Sequence, residues 1–212
     1  MESPARGRRT GPTPTGEGVT TVTAGVKQDV LDLLTEQHMQ IKALFGQIAR
    51  AEGTRKRDLF QDLVRLLAVH ESAEEIVVHP SARRRIDRGD TVTETLRHEE
   101  DEAKHELAAL YDLGTDHPDF DQRLARLADA VVAHATREET EEFPALRGSL
   151  TAAELGRMAG ALRAAEATAP TRPHPHTGES ARANLVAGPP LAVFDRIRDA
   201  VREWRESRRD GE

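Results

Sequence analysis

One motif, written twice, limits what this chain can fold into. His70-Glu71-Ser72-Ala73-Glu74-Glu75 leading to Pro80 recurs as His134-Ala135-Thr136-Arg137-Glu138-Glu139 leading to Pro144, a repeat of H-x-x-x-E-E-x-x-x-x-P at a separation of 64 residues. On a helix that turns about 100° per residue, positions four apart lie one turn apart on the same face, so each copy aims an imidazole and a carboxylate in one direction. In each copy the residues just before the motif are apolar at helical spacing: Phe60, Leu63, Val64 and Leu67 precede the first, and Phe120, Leu124, Leu127 and Val131 precede the second. The ionisable groups therefore continue a stripe that should be buried. A packed core tolerates such groups only if something satisfies them, and a bound metal is the economical answer.

The rest of the chain supplies the other walls. Residues 1–25 carry Pro4, Pro12 and Pro14 with little to bury and read as a disordered tail. A first helix from about Val26 carries Val30, Leu34, Ile41, Leu44, Phe45 and Ile48, with His38 inside that apolar face. Gly53 is expected to end it and Thr54 to cap the next helix, while Pro80 is expected to bend or end the second, with Arg83 to Gly89 forming the turn. A third helix from about Thr91 to Leu113 buries Val92, Leu96, Ala103, Leu107 and Leu110.

His98 in that third helix heads a tempting H-x-x-x-E, but the wheel puts His98 and His105 about 140° to 160° from Ala103, against about 40° to 60° for Glu99 and Glu100. The inward ligand is then a glutamate. A shift of 62 residues maps Val30, Leu34, Phe45 and Ile48 onto Val92, Leu96, Leu107 and Leu110, and it maps His38 onto Glu100. Thr151 with Glu154 forms a capping box for a fifth helix to about Ala167. The helical core thus spans residues 26–168. A proline-rich linker at 169–190 leads to an amphipathic C-terminal helix at 191–212, whose stripe of Leu191, Phe194, Ile197, Val201 and Trp204 suits docking on the bundle or on a second subunit.

Composition narrows the chemistry. Cysteine is absent, which removes thiolate sites and thiol nucleophiles, so any metal is held by His and carboxylate. Aromatics are only 3%, as suits an all-helical core of Leu, Val and Ala. A net charge of −7 opposes a nucleic-acid partner, and the lack of a long apolar run opposes a membrane span or a signal peptide, so a cytoplasmic location is the expectation.

The inward set is His38, His70, Glu74, Glu100, His134 and Glu138, with Glu71, Glu99 and Glu142 in reserve. Imidazoles mixed with several carboxylates at one level of a four-helix bundle suit two first-row ions bridged by carboxylate, iron ahead of manganese. A closed zinc site needs only four ligands, and calcium prefers oxygen alone. Ferritin-like di-iron proteins use Glu-x-x-His, the reverse order at a shorter spacing.

This layout, with Phe143-Pro144 closing the second motif, resembles the hemerythrin-like HHE cation-binding domain family over roughly residues 28–167. The Pro-rich run from Ala169 to Pro175 resembles its actinobacterial members. The resemblance implies an up-and-down four-helix bundle with a non-haem di-iron centre that meets O2, NO or peroxide. Hemerythrins proper carry H-x-x-x-H on the third helix and H-x-x-x-x-D on the fourth; Glu99-Glu100 and His134-x-x-x-Glu138 stand here instead. A more anionic ligand set favours oxidised ions, and so peroxide or oxygen chemistry in oxidative or nitrosative stress over reversible carriage. In that role His38, His70 and His134 are terminal ligands, Glu74 and Glu138 bridge, and Glu100 completes one iron. The alternatives are an iron- or oxygen-sensing module without turnover, or a metal-free interaction bundle. A homo-oligomer or another protein partner is expected through the C-terminal helix.

Overall fold

The computed structural model describes residues 28–168 together with Asp195 and Asp199. The expected N-terminal tail, the proline-rich linker and, apart from those two aspartates, the C-terminal helix lie outside the described residues.

The structure is all-α. Asp29 opens α1 (Val30–Ile48) by accepting from the backbone of Leu31 and Asp32, while Asp32 accepts from the Asp29 N–H, an all-acid capping box that also suits the positive end of the helix. The second rod is built in three pieces without a break: α2 (Gly53–Ala73), a π-helical segment Glu74–Val78, and α3 (His79–Arg85). The third is α4 (Gly89–Leu113). The fourth repeats the second: α5 (Phe120–Arg137), a π-helical segment Glu138–Glu142, and α6 (Phe143–Ser149). Helix α7 (Ala152–Thr168) follows the Thr151–Glu154 capping box, in which side chains and backbone exchange hydrogen bonds of 2.8 and 3.2 Å.

α1 packs on α2 and α5, and α4 packs on α3 and α5, which closes a ring of four rods; α7 lies against α1 and α2. The ring is filled by leucine and isoleucine: Leu34, Ile41, Ile48, Leu63, Leu107 and Leu110 are almost wholly buried. Phe60 meets Phe120 edge to face at 5.2 Å near the end of the bundle that holds the α1–α2 turn.

Three local expectations are corrected. Pro80 does not end its rod, which runs on to Arg85. The π-helical segment has already displaced the backbone pairing, with the His79 N–H reaching Glu74 O, so proline enters at the first turn of α3, where its missing N–H costs least. Gly53 does not close α1, which stops at Ile48, but opens α2 with φ +53°, and no side chain caps that end. The turn into α4 is shorter than expected, and the helix begins at Gly89. A Cβ there would sit 2.4 Å from Ala82 O, so only glycine lets the two helices approach this closely.

Candidate metal centre

The two π-helical segments start at Glu74 and Glu138, the last ionisable members of the repeated H-x-x-x-E pairs. Short π segments inside α-helices are rare and recur at functional sites because they re-aim the residues that follow. Here they seat two carboxylates at the centre of the bundle: Glu74 and Glu138 are each 0% exposed.

All six residues predicted to face inward come together. Ligand atoms of His38, His70, Glu74 and Glu138 lie within 4.8 Å of one another, and so do those of Glu74, Glu100, His134 and Glu138. Glu74 and Glu138 belong to both groups, which is the arrangement a pair of ions sharing carboxylates requires. His38 Nε2 and His70 Nε2 face each other at 3.0 Å, aimed at one point. His98 and His105 face solvent, as the wheel on α4 requires, whereas Glu100 is 2% exposed.

The reserve glutamates sit just outside this set and do different work. Glu99 accepts from His134 Nδ1 at 3.1 Å and pairs with Arg137. Glu71 pairs with the buried ammonium of Lys104 at 3.3 Å, and Glu142 accepts from His79 Nδ1 at 3.0 Å. The three site imidazoles are each held from behind: His70 Nδ1 by Gln37 Oε1 at 3.0 Å, His38 Nδ1 by Glu139 at 2.7 Å, and His134 Nδ1 by Glu99. Such partners fix the ring orientation and leave Nε2 directed inward.

The electrostatics are those of excess negative charge among buried groups. Burial, reinforced by Glu138 and Glu100, holds the Glu74 carboxyl well above the usual carboxylate range. Burial acts on Glu138 in the same direction, but His134, His38 and His70 outweigh it and hold that carboxyl well below its ordinary value. Burial, helped by His38, keeps His70 well below the usual imidazole range. His134 goes the other way, to about 9, because Glu138 and Glu100 overcome its burial. Even so, neither oxygen of Glu74 or of Glu138, nor Nε2 of His134, has a well-formed hydrogen bond. Buried polar atoms left without partners are expensive, and these converge on the space that the shared ligand groups surround. The donor set fits a pair of cations.

Comparison with known proteins bears on the same residues. The model of the hemerythrin HHE cation binding domain matches residues 29–146, more than half of the chain. This chain belongs to the hemerythrin HHE cation-binding domain family. Among HHE-domain relatives and neighbours, a hemerythrin-like protein of Schizosaccharomyces pombe is 26% identical over 177 residues, covering 82% of this chain and 87% of that one. A DNA nickase of Nostoc sp. is 29% identical over 143 residues, or 66% of this chain; the chain spans only 40% of that relative's length. A crystal structure of an HHE cation binding domain-containing protein from Mycobacterium kansasii superposes with a TM-score of 0.58 at 19% identity, covering 82% of this chain and 99% of that one, and shares the fold.

One residue of this HHE domain escapes sequence reasoning. His79 is 1% exposed and spans two buried acids, with Nε2 2.5 Å from Glu100 and Nδ1 3.0 Å from Glu142. Its own burial would lower its pKa, but Glu100 and Glu142 push it up to about 10. The signal lay in the repeat: adding 64 to His79 gives Phe143, so each motif carries a ring directly before its proline. In the structure Phe143 stacks on His38 at 5.8 Å while His79 bonds Glu100, and His38 and Glu100 are themselves related by the 62-residue shift. Gln37 and Glu99 obey that same shift behind His70 and His134. The two halves therefore share a plan and differ in charge.

Proposed function

We propose that this HHE domain holds two metal ions, iron ahead of manganese, and uses them on a small oxidant (O2, NO or peroxide) in oxidative or nitrosative stress in the cytoplasm. The observation that carries the reading is the sharing of Glu74 and Glu138 between two four-residue groups of potential ligands. In this reading His38 and His70 would help hold one ion, Glu100 and His134 the other, and Glu74 and Glu138 would serve both. Iron held there would supply a redox couple and an open coordination position for the oxidant.

The side chains of the chain prepare that position. Gln37, Glu139 and Glu99 orient the three imidazoles through their Nδ1 atoms, so little reorganisation accompanies loading. Leu34 and Leu107 are buried in the helices that carry His38 and Glu100, and Leu67 stands in the apolar wall beside the site. His79 holds Glu100 and Glu142 in place and keeps a proton between them. Three carboxylates beside three imidazoles, a more anionic set than hemerythrins proper carry, favour oxidised ions over reversible oxygen carriage. The nickase relative does not carry a nucleic-acid role to this chain, whose net charge of −7 opposes a polyanion.

Elemental analysis and an optical spectrum of the purified protein, before and after oxygen and hydrogen peroxide, test the reading. Two equivalents of metal and a spectrum that responds to oxidant are expected, and replacing His70 and His134 together should remove both. Metal that survives the double replacement would end the site assignment. Metal with no peroxide turnover would instead make the domain an iron- or oxygen-sensing module.

A further inference from the structure

A cavity of about 590 Å³ opens beside the centre, between α5 and the helices α1, α2 and α4. Four of the proposed ligands, His38, His70, Glu100 and His134, form part of its wall. Dioxygen or peroxide needs little more room than a water, whose share of liquid volume is about 30 Å³. The space is in the range that encloses a small organic molecule, roughly 300–1,000 Å³. Its remaining walls are largely apolar, with Ile41, Leu67, Ala103, Leu127 and Val131 facing it and the 63% exposed Met39 at its lip.

The charges on the lining decide what kind of molecule suits it. Of the carboxylates there, all but the exposed Glu102 have a close partner. Glu71 pairs with Lys104, Glu99 with Arg137, and Glu100 with His79. Glu106 grips Arg123 with both oxygens, Glu139 takes His38, and Glu102 lies 3.5 Å from His98. Two cations also line the cavity, Lys42 and Arg126, and neither has an ion-pair partner among the described residues. Contacts from Asp29 to Arg147 and from His38 to Glu139 show that α1 runs antiparallel to the α5–α6 rod. Lys42 stands one turn beyond His38, and Arg126 stands two turns before His134. In antiparallel helices these displacements, on the order of 6 and 12 Å, point the same way along the bundle. Lys42 and Arg126 thus stand toward one end, together with Glu102 and the Arg123-bound Glu106, with apolar wall in the middle and the proposed ligands at the other end.

We propose that this cavity binds an organic anion with an apolar body, in chemical class a medium-chain carboxylate, with its head on Lys42 and Arg126 and its body against the wall toward His38 and His134. Binding itself requires no metal, so it stands or falls apart from the di-metal reading.

Isothermal titration of the purified full-length protein with octanoate and with 1-octanol tests this. Octanoate should bind at one saturable site about tenfold more tightly than the alcohol, as expected for a charge-assisted contact. The double variant Lys42→Ala/Arg126→Ala should bring octanoate down to the affinity of the alcohol. Ala130→Trp, at an exposed helical position in the cavity wall, should abolish binding of both while the circular dichroism spectrum and metal content stay as in the parent. No saturable binding, equal affinity for acid and alcohol, or octanoate binding indifferent to the double variant or to Ala130→Trp would overturn the proposal.

Discussion

Replacing His79 by phenylalanine, the residue that occupies the matching place in the other half, withdraws a donor from two buried carboxylates at once. Its bonds to Glu100 and Glu142 measure 2.5 and 3.0 Å, and Glu100 and Glu142 are 2% and 0% exposed, so solvent cannot replace them. A hydrogen bond to a charged group contributes about 1.5–3 kcal/mol, so the metal-free protein should lose about 3–6 kcal/mol. That is a large share of the roughly 5–15 kcal/mol by which domains are stable. With metal bound, Glu100 faces a cation and only the Glu142 contact is missing, so the loss should fall to about half. His79→Gln, able to satisfy one acceptor, should lie between the parent and the phenylalanine variant. Urea denaturation followed by circular dichroism, with and without metal, reads each of these differences. A loss below about 1 kcal/mol without metal, or equal losses in the two states, would refute the assignment of His79 as the clamp on Glu100.

Three further outcomes are expected. Glu100→Ala should lower metal content while His98→Ala leaves it nearly unchanged, because the first is buried at the centre and the second faces solvent; elemental analysis decides, and the reverse result would discredit the placement of α4. Leu110→Ala, at a fully buried position in the ring of rods, should cost about 2–5 kcal/mol in chemical denaturation, and a cost under that range would mean the site collapses around the change. Gly89→Ala drives a methyl group against Ala82 O and should cost about 1–3 kcal/mol, visible as a lower melting temperature, with an unchanged melt counting against the tight α3–α4 crossing.

The fold was legible in the sequence wherever apolar residues kept a spacing of three and four without interruption. Val30, Leu34, Ile41 and Ile48 marked α1, and Leu96, Leu107 and Leu110 marked α4; all seven are buried. The six residues that meet at the centre were legible for a related reason: each is a polar group standing where its stripe calls for an apolar one. His79 was not legible because a uniform wheel puts it about 140° from Glu74, on the far side of the helix. The π-helical segment holds one residue more than an α-helical turn would and swings His79 back onto the face of Glu74, and no propensity in Glu75 to Val78 announces it. Pro80 was misread for the same cause, since a proline that would break a regular helix is accommodated just after that extra residue. The partners behind the imidazoles were out of reach in another way. Gln37 and Lys104 look like ordinary flank residues, and only the arrangement of neighbouring rods sets one against His70 and the other against Glu71.

The unlike halves of the bundle give its centre a direction. On one flank a ring nitrogen rests on a neutral amide and a phenyl group lies over an imidazole; on the other, an acid replaces the amide and a protonated ring replaces the phenyl. Apart from Glu139 on His38, the acids that bond these rings lie on the second flank, so a proton finds more acceptors there. Two backbones built to the same plan thus present different polarity to the centre, and the difference comes from a few side chains at matching places.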